Sequence, residues 1–384
     1  MVSDWVELQS TAHKATEDPQ GSFDAERIHA FSRTALAMFE AANAVSPSYQ
    51  SYLNLRPAAP GASDVAAVSA AARNVLLKLY PSQEKTIQNA FKLAMADVPS
   101  GAARDQGIAL GERAAAAALK AGGVDAARPV GVYRPIGVPG MWSPSMVPFS
   151  PQSLAARPWF LKNPADFRLP PPPALSSPEW ARSLDEVRRL GAKKSKERSE
   201  ADTLKAQFWA FYELDPMLRQ IASQPGRTLV QNARMYALLW MAADDMDLVM
   251  HDGKMSAMLW RPLNAIRNAD QDGNDATDLD LTWEPLLRTP SQPEYPCGHC
   301  MFAGLVSTVL EAEGPPPAGG YLFTNDRMPG LRITAPTLRH YMEAVSLSRI
   351  HAGVHYRMTN EVSEPLGRRV AQFAMSRFAP KRRR

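Results

Sequence analysis

The residues best equipped for chemistry are Pro293-Glu294-Tyr295-Pro296-Cys297-Gly298-His299-Cys300, with Lys254 and Arg261 before them and Ser348, Arg349 and His355 after. Cys297 and Cys300 have the spacing of a dithiol redox pair. Together with His351 and His355 they also offer the ligand types of a zinc site. A third chemistry follows if Pro296 opens a helix. Its first N–H groups and positive dipole end would then hold an oxyanion, with His299 beside it to handle protons. Lys254 and Arg261 lie seven apart, about two helical turns, so a single helix would project both cations from one face. They could grip one anion together, or form a solvated face paired with Asp245, Asp247 or Asp252.

Composition narrows the class. The chain has 384 residues, 45% of them hydrophobic, which is ample for one large core or two. Two cysteines make no disulfide framework, so packing must supply stability. Net charge is +4, and the surplus sits in Lys193-Lys194-Ser195-Lys196 and Lys381-Arg382-Arg383-Arg384, which read as solvated surface and not as a nucleic-acid site. The longest apolar run, Met235 to Ala243, stops at Asp244 and Asp245, short of a bilayer span, and no membrane partner is expected. Met1 to Trp5 shows no signal peptide; the expectation is a soluble protein, cytoplasmic or exported with its signal removed. Asp270, Asp272 and Asn274 resemble a calcium loop, but Gly273 comes two positions early and an ordinary turn is expected. His251 and His340 have no partner pattern.

The elements that must position these groups read as helices. Ile28, Phe31, Ala35, Met38, Ala42 and Val45 form an amphipathic stripe after a polar lead-in, with Ser22 as its cap. Further helices are signalled by Val65 to Leu79, Ile87 to Met95, and Asp105 to Lys120, the last closed at Gly122-Gly123. From Arg128 to Ser177 prolines at 129, 135, 139, 144, 148, 151, 158, 164 and 170 to 173 forbid long helices. This segment reads as an ordered connection or a wall around a pocket, packed by Trp142, Phe149, Trp159 and Phe160. Ser177-Pro178-Glu179 starts a helix with a capping hydroxyl and a first-turn proline. Others are expected from Ser199, from Arg227 to Arg261, from His299 to Glu311, from Pro336 to Ile350 and from Asn360 to Phe378. No alternating strand pattern appears. The fold class is all-α: helical bundles, in two packed layers or as four-helix bundles, around a Pro-rich irregular middle. The divisions are residues 1–125, 126–177 and 178–384, the last carrying the chemistry and the whole forming one compact unit.

Lys254, Arg261-Pro262, Pro296-Cys297-Gly298-His299, Ser348-Arg349 and His355 together resemble the pattern Lys-x6-Arg-Pro, Pro-Ser-Gly-His, Ser-Arg-x5-His-x3-Asp. That is the pattern of the vanadium-dependent haloperoxidase and type 2 phosphatidic acid phosphatase superfamily. Arg33 to Val45, Arg168-Leu169-Pro170 to Pro173, Phe208-Trp209, Trp260 and Asn264 to Arg267 extend the likeness to the soluble bacterial haloperoxidase-like branch. The resemblance implies a vanadate cofactor, with phosphate able to occupy the same site. It implies that Lys254, Arg261, Arg349 and the Gly298 N–H bind the oxyanion, with Cys297 at the position of the family's serine. His355 would be the vanadium ligand or phosphoryl nucleophile, and His299 the acid/base. The implied activity is a peroxidase that uses hydrogen peroxide to oxidise halide and so halogenates a small organic substrate. A metal-free acid phosphatase acting through His355, and a homologue that binds an oxyanion without turnover, are the alternatives. A homodimer is compatible with the chain.

Two positions depart from that pattern. Cys297 replaces a hydroxyl with a weak thiol, and with Cys300 it could form a redox-sensitive pair. Thr359 stands where the phosphatases have the aspartate that orients the histidine, which weakens the phosphatase reading more than the other. Gln292 sits at a position that tunes halide choice in the family and matches no known preference.

Overall fold

The computed structural model describes residues 1–15, 25–122, 137–144 and 156–378. Ser22 as a cap, Gly123, Phe149, the prolines at 129, 135, 148 and 151, and the basic tail from Lys381 lie outside these residues.

Among the described residues the fold is all-helical apart from one small hairpin. In chain order the helices are α1 (Val2–Lys14), α2 (Ala25–Val45), α3 (Asp64–Leu79), α4 (Glu84–Ala94), α5 (Ala102–Ala121), α6 (Pro178–Gly191) and α7 (Glu200–Phe208). They continue with α8 (Asp215–Ala222), α9 (Leu229–Ala257), α10 (Pro262–Ile266), α11 (Gly298–Glu311), α12 (Leu338–His351) and α13 (Arg357–Arg377). Caps follow the sequence signals. Ser177, Ser199 and Thr337 each accept a backbone N–H at a helix start, and Thr228 with Gln231 closes a capping box on α9.

α9 is the axis of the molecule. It is buried on every side from Met235 to His251, mostly through apolar side chains, with Asp244, Asp245 and Asp247 the acidic exceptions. α2 packs along it from the N-terminal region, and α11 and α13 from the C-terminal region, and all share one hydrophobic core. Small residues set the closest approaches. A Cβ on Gly111 would lie 2.2 Å from the Ala67 carbonyl oxygen, so α3 and α5 meet backbone to backbone. α11 and α13 do the same through reciprocal glycines: a Cβ on Gly304 would sit 2.3 Å from the Glu364 oxygen, and one on Gly367 1.8 Å from the Met301 oxygen. That close crossing fixes the first half of α11 against the middle of α13.

Three expectations need correction. The N-terminal lead-in is a helix, α1, which buries Val2, Trp5, Val6 and Ala12; its other buried positions, Ser3, Gln9, Ser10 and His13, are polar and hid the stripe. A two-stranded antiparallel hairpin, β1 (Tyr321–Thr324) with β2 (Arg332–Ala335), pairs Tyr321 with Ala335 and Phe323 with Ile333. Four residues per strand are too few to show an alternation in sequence. Finally, the long helix stops at Ala257 instead of continuing to Arg261. Met258 turns left-handed at φ 49°, and Arg261 is extended at φ −80°, ψ 158°, before Pro262, a proline that disfavours helical conformation in the residue before it. Lys254 and Arg261 therefore do not share a helix face.

Where it is described, the Pro-rich segment packs against α9 and the link that follows it. Met141 bridges to Leu259, and the Trp142 N–H donates to the Met258 oxygen at 2.6 Å. The Asp245 carboxylate accepts the backbone N–H groups of Trp159, Phe160 and Leu161. Asp272, from the expected turn, takes the Trp180 indole N–H and the Thr277 hydroxyl.

Candidate active site

Five elements converge on one buried cluster. α9 carries Lys254, the extended link before α10 carries Arg261, the start of α11 carries Gly298 and His299, and the last turn of α12 carries Arg349. His355 lies in the short connection to α13. Lys254, Arg261, Arg349 and His355 are 2%, 1%, 4% and 4% exposed, so three cations are gathered away from bulk water. Such a cluster is costly unless something negative answers it.

Part of the answer is Glu294, which the sequence reading passed over. It is fully buried, and all its contacts are donors. Oε1 faces His355 Nδ1 at 2.7 Å and takes the Tyr356 N–H at 3.1 Å, while Oε2 takes the Thr359 hydroxyl at 2.8 Å. Burial pushes its carboxyl up to about 7, against the pull of Arg261 and Lys254. The geometry is that of the ionised form, since a carboxylate is the acceptor-only state.

The His355 ring is fixed by what faces each nitrogen. Arg261 Nη1 lies 3.1 Å from Nε2, and a guanidinium can only donate, so Nε2 bears the lone pair and Nδ1 the proton given to Glu294. Burial, then the charges of Arg261, Lys254 and Arg349, hold the ring well below its usual range and so neutral. His299 is likewise held low, first by burial and then by Arg349; its Nε2 lies 3.3 Å from the Ala210 oxygen.

The cations divide into two kinds. Lys254 Nζ donates to the Pro293, Glu294 and Pro296 oxygens at 2.7, 3.1 and 2.6 Å, folding the Pro293–Pro296 loop around it. Burial and the neighbouring Arg261 push the amine well down, but three acceptors call for three N–H bonds, which only the ammonium has. Its influence on the cluster is therefore by charge. Arg261 gives Nε to the Gln292 oxygen and Nη1 to the Val354 oxygen as well as to His355; Arg349 gives Nε to Ser348 and Nη2 to the Ala206 oxygen at a long 3.4 Å. Among the described residues no group accepts from Arg261 Nη2, from Arg349 Nη1 or from the Gly298 N–H at the start of α11. Burial lowers both guanidinium groups to about 10, so both remain charged at neutral pH. Two guanidinium groups and a helix-start N–H without acceptors could hold an oxyanion.

Cys297 and Cys300 are joined by a disulfide, and both are buried. Cys297 caps α11, its sulfur taking the Cys300 N–H, and its own N–H goes to Ser363. In this state neither sulfur can ligate zinc as a thiolate or donate a hydrogen bond. The Ala206–Tyr212 segment supplies the carbonyls that face His299 and Arg349, and its Trp209 and Tyr212 pack with Phe323 and Tyr341. The Gln292 side-chain Oε1 is buried without a partner among the described residues.

Known proteins share this fold. Residues 234–382 match the family model of the VCPO second helical-bundle domain. The chain is similar along its whole length, with a TM-score of 0.79 at 20% identity and 97% of the other chain covered, to the first bacterial vanadium-dependent iodoperoxidase of known structure. It is also similar to a bacterial vanadium-dependent chloroperoxidase. The holo form gives TM-score 0.72 at 17% identity, covering 97% of this chain and 96% of that one; the apo form gives 0.70 at 16%, covering 94% and 96%. No curated protein sequence matches the chain.

Proposed function

From a chain that has the fold of the bacterial vanadium haloperoxidases, and whose residues 234–382 match the model of the VCPO second helical-bundle domain, we propose a vanadate-dependent haloperoxidase-like enzyme. Hydrogen peroxide, a halide and a small organic acceptor would be its substrates. The observation that carries this is the pair of buried guanidinium groups, Arg261 and Arg349, with unanswered N–H bonds beside the lone pair of His355 Nε2. The donor chemistry fits a tetrahedral oxyanion, vanadate or phosphate. Arg261 Nη2, Arg349 Nη1 and the Gly298 N–H would hold its oxygens, Lys254 would add charge without a bond, and His355 Nε2 would ligate the central atom in place of the bond it accepts from Arg261 Nη1. Cys297, tied to Cys300, would contribute no donor.

Bound vanadate supplies a Lewis acid that activates hydrogen peroxide toward halide. The chain's own residues do the rest. Glu294 keeps the His355 lone pair turned into the cluster. His299, neutral and anchored through Nε2 to Ala210, would accept or return a proton at its other ring nitrogen. Burial excludes competing water and strengthens each charge-assisted bond.

One observation favours the phosphatase reading as a second. Thr359 removed the carboxylate that such an enzyme needs on its nucleophilic histidine, but Glu294 stands against His355 Nδ1 in its place. Monochlorodimedone halogenation by vanadate-loaded protein, set beside p-nitrophenyl phosphate hydrolysis by vanadate-free protein, decides between them. Halogenation that requires vanadate supports the first reading. Phosphate release that vanadate inhibits, with no halogenation by any halide, overturns it in favour of the second.

A further inference from the structure

We propose that Glu294 is the positioning residue for His355, and that it and Thr359 together perform from two elements the task that the superfamily pattern gives to one aspartate at position 359. The inference deepens the function proposed above and rests on it for the role of His355. The geometry itself concerns the protein alone.

His355 lies four residues before Thr359 at the start of α13, so an aspartate at 359 would reach its Nδ1 from the next helical turn. In this chain that reach belongs to Glu294, sixty-one residues earlier, whose Oε1 is 2.7 Å from Nδ1. Thr359 is 0% exposed and its hydroxyl donates to Glu294 Oε2 at 2.8 Å, so the residue at the departure point holds the replacement carboxylate in place. The two solutions exclude each other. With Glu294 present, an aspartate at 359 would bury a second carboxylate against the first, and like charges in a dry site repel strongly. With Thr359 alone, no carboxylate would accept the Nδ1 proton and hold the ring.

Glu294 is also held from its backbone. Its carbonyl is one of the three that bind Lys254, so the same loop that folds around the lysine delivers the carboxylate to the histidine. A supporting partner of this kind typically changes ligand affinity or activity by about 10–100-fold when removed.

The test is carried out on vanadate-free protein, so its result does not depend on the proposed reaction. ¹H–¹⁵N NMR of the His355 ring, assigned by its loss in His355→Ala, reads the Nδ1–H proton, whose resonance lies further downfield the stronger its acceptor. The wild type is expected to show this proton far downfield, as a charge-assisted bond to a carboxylate requires, and Glu294→Gln, whose amide oxygen is a neutral acceptor, to move it upfield. Glu294→Gln combined with Thr359→Asp relocates the carboxylate to α13 and is expected to return the resonance downfield, together with the affinity for inorganic phosphate, about 10–100-fold reduced in the single variant. Thr359→Val, which keeps the carboxylate and removes only its hydroxyl donor, gives a smaller upfield move if Glu294→Gln does not fold. An unmoved Nδ1–H resonance in Glu294→Gln, or, where that variant does not fold, in Thr359→Val, would overturn the assignment. So would a double variant no better than the single one. A restored resonance without any haloperoxidase or phosphatase activity would leave this inference standing and count against the proposed function instead.

Discussion

The division of labour among the three buried cations can be separated by experiment, because Lys254 and Arg349 should fail in opposite ways. In Lys254→Met the Pro293, Glu294 and Pro296 oxygens lose their donor, and Glu294 loses one of the two cations that hold it ionised. A stranded buried acceptor costs about 1–3 kcal/mol, but the three act as a unit and removing the ammonium relieves its own desolvation. The net loss of folding stability is about 3–5 kcal/mol, in the range for breaking a buried charged network. Arg349→Gln breaks only one bond at 3.1 Å and one at 3.4 Å, and removes a cation repelled by Arg261. Its stability should stay within about 1 kcal/mol of wild type, while the lost charge-assisted bond to an oxyanion, about 1.5–3 kcal/mol, weakens phosphate or vanadate binding by roughly tenfold to a hundredfold. Reversible urea unfolding followed by circular dichroism gives the first quantity, and isothermal titration with phosphate the second. If Lys254→Met unfolds like wild type yet no longer binds phosphate, the lysine contacts the anion directly and the reasoning fails.

Further expectations concern the disulfide, the pH response and the helix crossing. Cys297→Ser returns a hydroxyl beside the α11 start and should tighten phosphate binding by about threefold to tenfold, one neutral hydrogen bond, an outcome contradicted by equal or weaker binding in calorimetry. Burial raises the folded-state pKa of Asp245 from 3.8 to about 7, so the folded protein binds that proton more tightly than the unfolded chain does. Its contribution to stability is therefore greatest below pH 4 and is lost as pH rises to about 7. Asp245→Asn should flatten that slope in urea midpoints measured across pH 4 to 7, and an unchanged slope would count against it. Gly367→Ala drives a Cβ to within 1.8 Å of the Met301 oxygen, so it should destabilise by about 3 kcal/mol and loosen phosphate binding as α11 shifts; a urea midpoint at the wild-type value contradicts the close crossing.

Much of the site was legible because its cations and histidines carry chemistry wherever the fold brings them. Ser177-Pro178 announced α6, and Pro296 through His299 announced the start of α11. The end of α9 was equally present in the sequence: Pro262 makes a helical Arg261 unfavourable, and periodicity alone hid it. Glu294 could not be found locally. An acidic residue among prolines reads as a turn, and only the folding of the Pro293–Pro296 loop around Lys254 brings it to His355. The disulfide belonged to the options that spacing leaves open, since two cysteines three apart suit a dithiol, a metal or a bond to each other. α1 and the hairpin were hidden for a common reason: each is held by tertiary contacts, with Tyr236 reaching Ser3 and Thr324 bridging to Glu213.

The central claim is a single buried oxyanion site built on Arg261, Arg349, the Gly298 N–H and His355. Equilibrium dialysis against vanadate, with vanadium counted by elemental analysis, tests it most directly. The account predicts one vanadium per chain, displaced by phosphate, and weakened by roughly tenfold or more in Arg349→Gln. Protein that retains neither oxyanion, or that holds vanadium as tightly without the Arg349 guanidinium, would contradict it.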